Sequence, residues 1–136
     1  MKIDQDLVPP TIKSAVDRLI TSLDEADRNF IRFTNNPCAI HYDAGRSIRN
    51  DWSLWSNDTP LKRDAATTYG IAHADDISGL IWAWVWAIVR SEYFDPEKHC
   101  EQYHKHWAKF GLDPLVAGGW SKYRPGKTNN KEKNNE

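Results

Sequence analysis

A chain of 136 residues, 40% hydrophobic and 27% charged, has the length of one domain and enough apolar material for a core. Its formal net charge of -1 lacks the basic excess of a general nucleic-acid binder and argues against nucleic acid as a partner. The longest apolar run, Gly79 to Val89, falls well short of the ~20 residues of a membrane span, and the N-terminus has no signal-peptide core, so a soluble cytoplasmic protein with no membrane partner is expected.

The predicted elements begin after Pro9-Pro10-Thr11. Apolar residues at Ile12, Ala15, Val16, Leu19, Ile20 and Leu23 fall on a single helical face. Ser22 and Glu25 have capping-box spacing, and Asp24 is a second candidate cap for the next helix, which carries Ala26, Phe30, Ile31 and Phe33. Asn35-Asn36-Pro37 breaks it. Pro37 suits the first turn of a third helix that runs to about Asn50, with Ile40, Ala44 and Ile48 inward. Trp52 to Trp55 leaves that helix as a turn or a short extra helix. Thr59-Pro60 starts another, running to about Tyr69 and stopped by Gly70.

The central helix is expected over about 74–93. Asp75 and Asp76 occupy its first turn, where the positive end of the helix dipole favours carboxylates. Ile77, Leu80, Ile81, Trp84, Val85 and Ile88 form one face, with Trp82, Trp86 and Val89 toward another; a helix apolar most of the way round is covered by several neighbours. Asp95-Pro96 caps a last helix ending at Gly111, with Cys100, Tyr103, Trp107 and Phe110 as its apolar stripe. Residues 121–136 combine basic residues and asparagines with no aliphatic residue and read as a flexible polar basic tail. The whole is expected to be an all-α single domain over 1–120, five or six helices around the buried central one.

Seven tryptophans form the one compositional outlier. Buried indole N–H groups need acceptors, so some of these rings are expected at the edge of the core. The densest chemistry lies in HYDAGRSIRNDWSLW, residues 41–55, which holds two arginines, an asparagine, a histidine, two aspartates and two tryptophans. Arg46, Arg49 and Asn50 sit at i, i+3 and i+4, on one side of a helix, and two guanidinium groups there suit a phosphate or carboxylate. Against that stands a structural pairing of Arg49 with Asp75 or Asp76 across two helices. Trp52 and Trp55 are the candidates for stacking on a planar ligand. His41, Asp43, His73, Asp75 and Asp76 are types suited to metal or acid–base work, without the spacing of a zinc or catalytic motif. Cys100 and His104 share a helix face, but Cys100 belongs to the apolar stripe. Cys38 and Cys100 carry no spacing that supports a disulfide.

The pattern PxTIxxAVDxLxxxL ending at Leu23, then a histidine before a glycine and IRNxWxLW (His41 to Trp55), then HxDDxSGxI (His73 to Ile81), resembles an uncharacterised family of small bacterial and phage proteins, a domain of unknown function. The resemblance spans roughly residues 8 to 90. It implies an origin and a set of signature positions (His41, Gly45, Arg49, Asn50, Trp52, Leu54, Trp55, His73, Asp75, Asp76 and Ser78) but no activity. Family members tend toward a second glycine near position 43, where this chain has Asp43.

The functional expectation is a small non-enzymatic binding protein, with no cofactor and no metal. It would engage a host protein or sequester a small anionic, nucleotide-like ligand. The binding set would be His41, Arg46, Arg49, Asn50, Trp52, Trp55, His73, Asp75 and Asp76. Two alternatives stand beside it: an enzyme acting on a nucleotide-like substrate through His41 or His73 with Asp75 or Asp76, and a structural homodimer.

Overall fold

The longest helix in the computed structural model, Ala74–Val89, has no polar face along most of its length: Ile77, Leu80, Ile81, Trp82, Val85, Ala87 and Val89 are all buried. The structure describes residues 8–35, 44–55 and 59–119. Within them the chain forms α1 (Ile12–Ser22), α2 (Glu25–Phe33), α3 (Arg46–Asp51), α4 (Pro60–Asp64), α5 (Ala74–Val89), α6 (Pro96–Ala108) and α7 (Pro114–Ala117). Every regular element among the described residues is helical, so the fold is all-α. None of these helices is long and apolar enough to cross a membrane.

α5 is the axis. α1, α2, α3 and α6 all pack on it, as its all-round apolar surface requires. α1 contributes Ile12, Ala15, Val16, Leu19 and, just past its end, Leu23, the expected stripe with only Ile20 left half-buried. Thr11 caps α1 through a reciprocal pair with Ser14, and the Ile12 amide donates to Asp64 Oδ2 at 2.8 Å, which ties the start of α1 to the end of α4. Asp24 caps α2 with Asp27, rather than Ser22 with Glu25, because the Ser22 hydroxyl donates back to the Leu19 carbonyl.

α4 runs on as a π-helical segment, Ala65–Tyr69, stopped by Gly70 with φ +68°. α4 buries Lys62 completely, and burial pushes its ammonium pKa below the ordinary lysine value. α6 starts from Asp95, whose side chain accepts the Lys98 amide, with Pro96 in the first turn. The single-turn α7, which lacks enough length to show a period, buries Leu115 against Ala66 and Ala72. Gly118 closes it: a methyl group there would overlap the Ala72–His73 backbone.

Several expectations are corrected. The central helix ends at Val89 and not near Tyr93. Ser91 adopts a left-handed conformation (φ 58°), the Ser91 amide donates to the Ile88 carbonyl and the Glu92 amide to the Ala87 carbonyl, a Schellman closure built without glycine. Ile88 is 42% exposed rather than part of the buried face, and Phe30, Phe33 and Phe110 are exposed as well. The third helix, among the described residues, is the short Arg46–Asp51; Pro37, Cys38 and Ile40 lie outside them, as do Trp120 and the tail 121–136. Trp52 and Trp82 are buried with indole N–H groups that find no acceptor among the described residues. Among the described tryptophans, Trp55, Trp84, Trp86 and Trp107 do lie at the edge of the core, as expected, whereas each orphaned donor of Trp52 and Trp82 costs about 1–3 kcal/mol.

Left-handed backbone costs a non-glycine residue about 1–2 kcal/mol. Ser91→Gly is therefore expected to stabilise the fold by about 1 kcal/mol, read as a higher urea midpoint with an unchanged slope.

Candidate functional site

The polar residues of α5 are gathered in its first turns and point two ways. His73 caps the helix with its own ring: Nδ1 accepts the Asp75 amide at 3.1 Å, which leaves the neutral imidazole its proton on Nε2. Asp75 turns toward α3. There Arg49, with a side chain 10% exposed, lies with Nε 3.4 Å from Asp75 Oδ1 and donates from Nη1 to the Ser78 hydroxyl at 2.9 Å. Ser78 in turn donates to the Asp75 carbonyl at 3.2 Å. Arg49 thus ties α3 to α5, the structural pairing the sequence allowed.

Its neighbours do not join it. Arg46 and Asn50 are exposed while Arg49 faces inward, so the three do not form one anion grip. Trp52 is fully enclosed and cannot stack on a ligand, whereas Trp55 is 58% exposed. The α3 exit separates the two rings. Ser53 is left-handed (φ 56°), and the Leu54 amide donates to the Arg49 carbonyl at 3.0 Å, a second Schellman closure that sends Leu54 inward and Trp55 out. His41 and Asp43 lie outside the described residues.

Asp76 turns the opposite way from Asp75, toward α6, and accepts from Trp107 Nε1 at 2.9 Å. Burial pushes its carboxyl above the ordinary carboxylate value, opposed by the Trp107 hydrogen bond and then by the nearby His73. The result is a row of rings across the surface above α5. Trp55 meets His73 edge-on at 5.8 Å, and His73 lies 5.5 Å from Trp107. Trp107 meets His106 at 4.8 Å, and His106 meets Phe110 at 5.5 Å. The row begins and ends on exposed rings, Trp55 and Phe110, the latter 64% exposed.

The structure therefore brings Arg49, Ser78, Asp75, His73 and Trp55 together, sets Asp76 on the far side of the same helix turn, and excludes Trp52. Sequence reasoning missed Trp107, His106 and Phe110 as members of this surface. The apolar stripe of α6 reads as core, and only its overrun to Phe110, past the point where α5 can cover it, signals a ring left outside. Cys100 of that stripe is in the core, its thiol pushed up to about 12 by burial. His104 donates from Nε2 to the Tyr69 carbonyl at 3.1 Å, away from Cys100's core contacts. Among the described residues no three histidine, cysteine, aspartate or glutamate side chains converge as a metal site would require.

Residues 8–88 match a family model described as Domain of unknown function (DUF6794). The chain belongs to this family. The DUF6794 segment carries Arg49, Trp55, His73, Asp75, Asp76 and Ser78, and it stops inside α5, so the α6 half of the ring row lies beyond it. No curated protein and no solved structure matches the chain.

Two outcomes test this geometry. Arg49→Ala removes both bonds across α3 and α5 and is expected to cost about 2–4 kcal/mol, below a fully buried pair because Asp75 is half-exposed. Arg46→Ala, on the exposed side, should stay within about 0.5 kcal/mol; urea denaturation of both decides. The second concerns Asp76. A carboxyl with a raised folded-state pKa contributes stability that is whole below its unfolded value of 3.8 and is lost as pH rises through the folded value. Asp76→Asn keeps an acceptor for Trp107, so it should melt above the parent at pH 7, with the gain vanishing below pH 3.8.

Proposed function

We propose that the protein is a non-enzymatic binding protein that engages a partner protein through the ring row from Trp55 to Phe110. The observation that carries this reading is the row itself: rings in successive contact, exposed at both ends, on a surface where a monomer gains nothing by exposing them. Tryptophan is enriched among the residues that dominate protein interfaces, since a rigid ring covers a large area for little lost freedom.

The chemistry also describes the partner. The rings call for an apolar side chain, and the exposed half of Asp75 beside His73 calls for a basic group next to it. The anion-sequestering version at Arg46 and Arg49 has less support, because the Arg49 guanidinium faces Ser78 and Asp75 and Trp52 is enclosed. A phage origin, one of the two that the resemblance implies, would make the partner a host protein in the host cytoplasm.

The test compares the parent chain with the double variant Trp55→Ala/Phe110→Ala. Affinity capture nominates a partner, and titration of the purified pair measures it. The reading expects a stoichiometric complex weakened at least about tenfold, or about 1.4 kcal/mol, in a variant whose melting temperature is unchanged. Equal affinity for both chains, or no complex other than self-association in sedimentation, sinks it.

A further inference from the structure

Asp76 is 7% exposed and, among the described residues, accepts one hydrogen bond, from the neutral indole of Trp107. A carboxylate has about four acceptor positions, and a buried charge is ordinarily paired. Among the described residues no ammonium or guanidinium group pairs with it. The fold does not require its charge: an asparagine would serve Trp107 equally, without the cost of burying a carboxylate. The unfilled acceptor capacity is not sealed in the core, either. Asp76 lines an open groove of about 570 Å³, together with Gln102, Tyr103, Lys105 and His106 of α6 and Lys109 just past its end. That volume falls within the roughly 300–1,000 Å³ of small-molecule sites.

The charges around the groove restrict what fits. A simple cation drawn to Asp76 would meet Lys105, in the last turn of α6, and Lys109, which caps its end, both exposed. A simple anion drawn to the lysines would meet Asp76. A ligand with N–H donors at one end and negative charge at the other satisfies both. Nucleotides have that form. Among their bases, guanine offers two adjacent N–H donors on one edge, the arrangement a carboxylate accepts side by side, whereas the corresponding edge of adenine presents an acceptor that a carboxylate repels. The His106 ring, which lines the groove and abuts Trp107, supplies a face for the base.

We infer that this groove binds a guanine nucleotide, with the base edge on Asp76 and the phosphate on Lys105 and Lys109. The net charge of -1 favours the free nucleotide over a polymer. This site shares His106 with the ring row but does not rest on the protein-docking reading, since Trp55 and Phe110 do not line the groove.

Isothermal titration of the full chain with guanosine 5′-monophosphate, adenosine 5′-monophosphate and guanosine decides the matter. The expected result is binding of guanosine monophosphate, with the adenosine nucleotide at least about a hundredfold weaker, since a carboxylate acceptor built to take two N–H donors rejects an edge that presents an acceptor in place of one. Asp76→Asn should weaken guanosine monophosphate at least about tenfold while the protein stays folded. The surface pair Lys105→Ala/Lys109→Ala should weaken guanosine monophosphate and leave guanosine unchanged. Absence of guanosine monophosphate binding at millimolar concentration, equal affinity for the two nucleotides, or undiminished binding in Asp76→Asn overturns the proposal. Trp55→Ala/Phe110→Ala should retain nucleotide binding, which keeps this test separate from that of the docking surface.

Discussion

A helix that is apolar on every side cannot rest on a surface; it has to be enclosed. α5 imposes that constraint on the whole chain, and each large side chain it buries contributes about 1.5–3 kcal/mol to holding its neighbours in place. The surrounding helices are short, and helices of such length are marginal alone. They are instead fastened end to end by side-chain bonds to backbone: Asp64 takes the first amide of α1, Arg28 donates to the Ile20 carbonyl at the far end, and Arg90, at the close of α5, donates to the Ile31 and Arg32 carbonyls in the last turn of α2. Because α5 has no room for polar residues along its sides, they collect at its N-terminal turns. The candidate site is there for the same reason.

Adjacent residues on a helix point about 100° apart, and Asp75 and Asp76 use that divergence to do different work. Asp75 faces α3 and takes part in the Arg49 link, partly in solvent, where the pairing costs little. Asp76 faces α6, where burial disfavours its charged form and the Trp107 indole N–H favours it. A staple and an under-satisfied carboxylate thus sit on consecutive residues, and only the second has a groove in front of it.

Much of this could be read from the sequence, because local rules governed it. The apolar face of α1, the Thr59-Pro60 start of α4, the Asp95 cap of α6, the stop at Gly70 and the apolar character of α5 follow from residue type and spacing alone. The pairing of Arg49 with one of the two α5 carboxylates was legible too, though not which of them. Other features were not. Nothing local marks Ser91 as left-handed where glycine is the norm, so α5 seemed longer than it is. Periodicity finds an apolar stripe but not whether a neighbour covers it, which left Phe30, Ile88 and Phe110 assigned inward. The Asp76–Trp107 bond spans 31 residues and depends on how α6 lies across α5, a packing outcome no motif encodes. Lys62 is the clearest case: a lysine is placed outside by type, yet the junction of α4 with its neighbours encloses it.

Arg49 also contributes through its backbone. Its carbonyl accepts the Leu54 amide that closes the α3 turn, while its side chain holds α3 against α5. One residue thus secures both the helix and the angle at which Trp55 leaves it. The exposed indole is therefore held no more firmly than α3 is docked: each local opening of that six-residue helix would also release the ring. Hydrogen exchange at the Leu54 amide then becomes a clock for Trp55, because the bond that protects the one fixes the direction of the other.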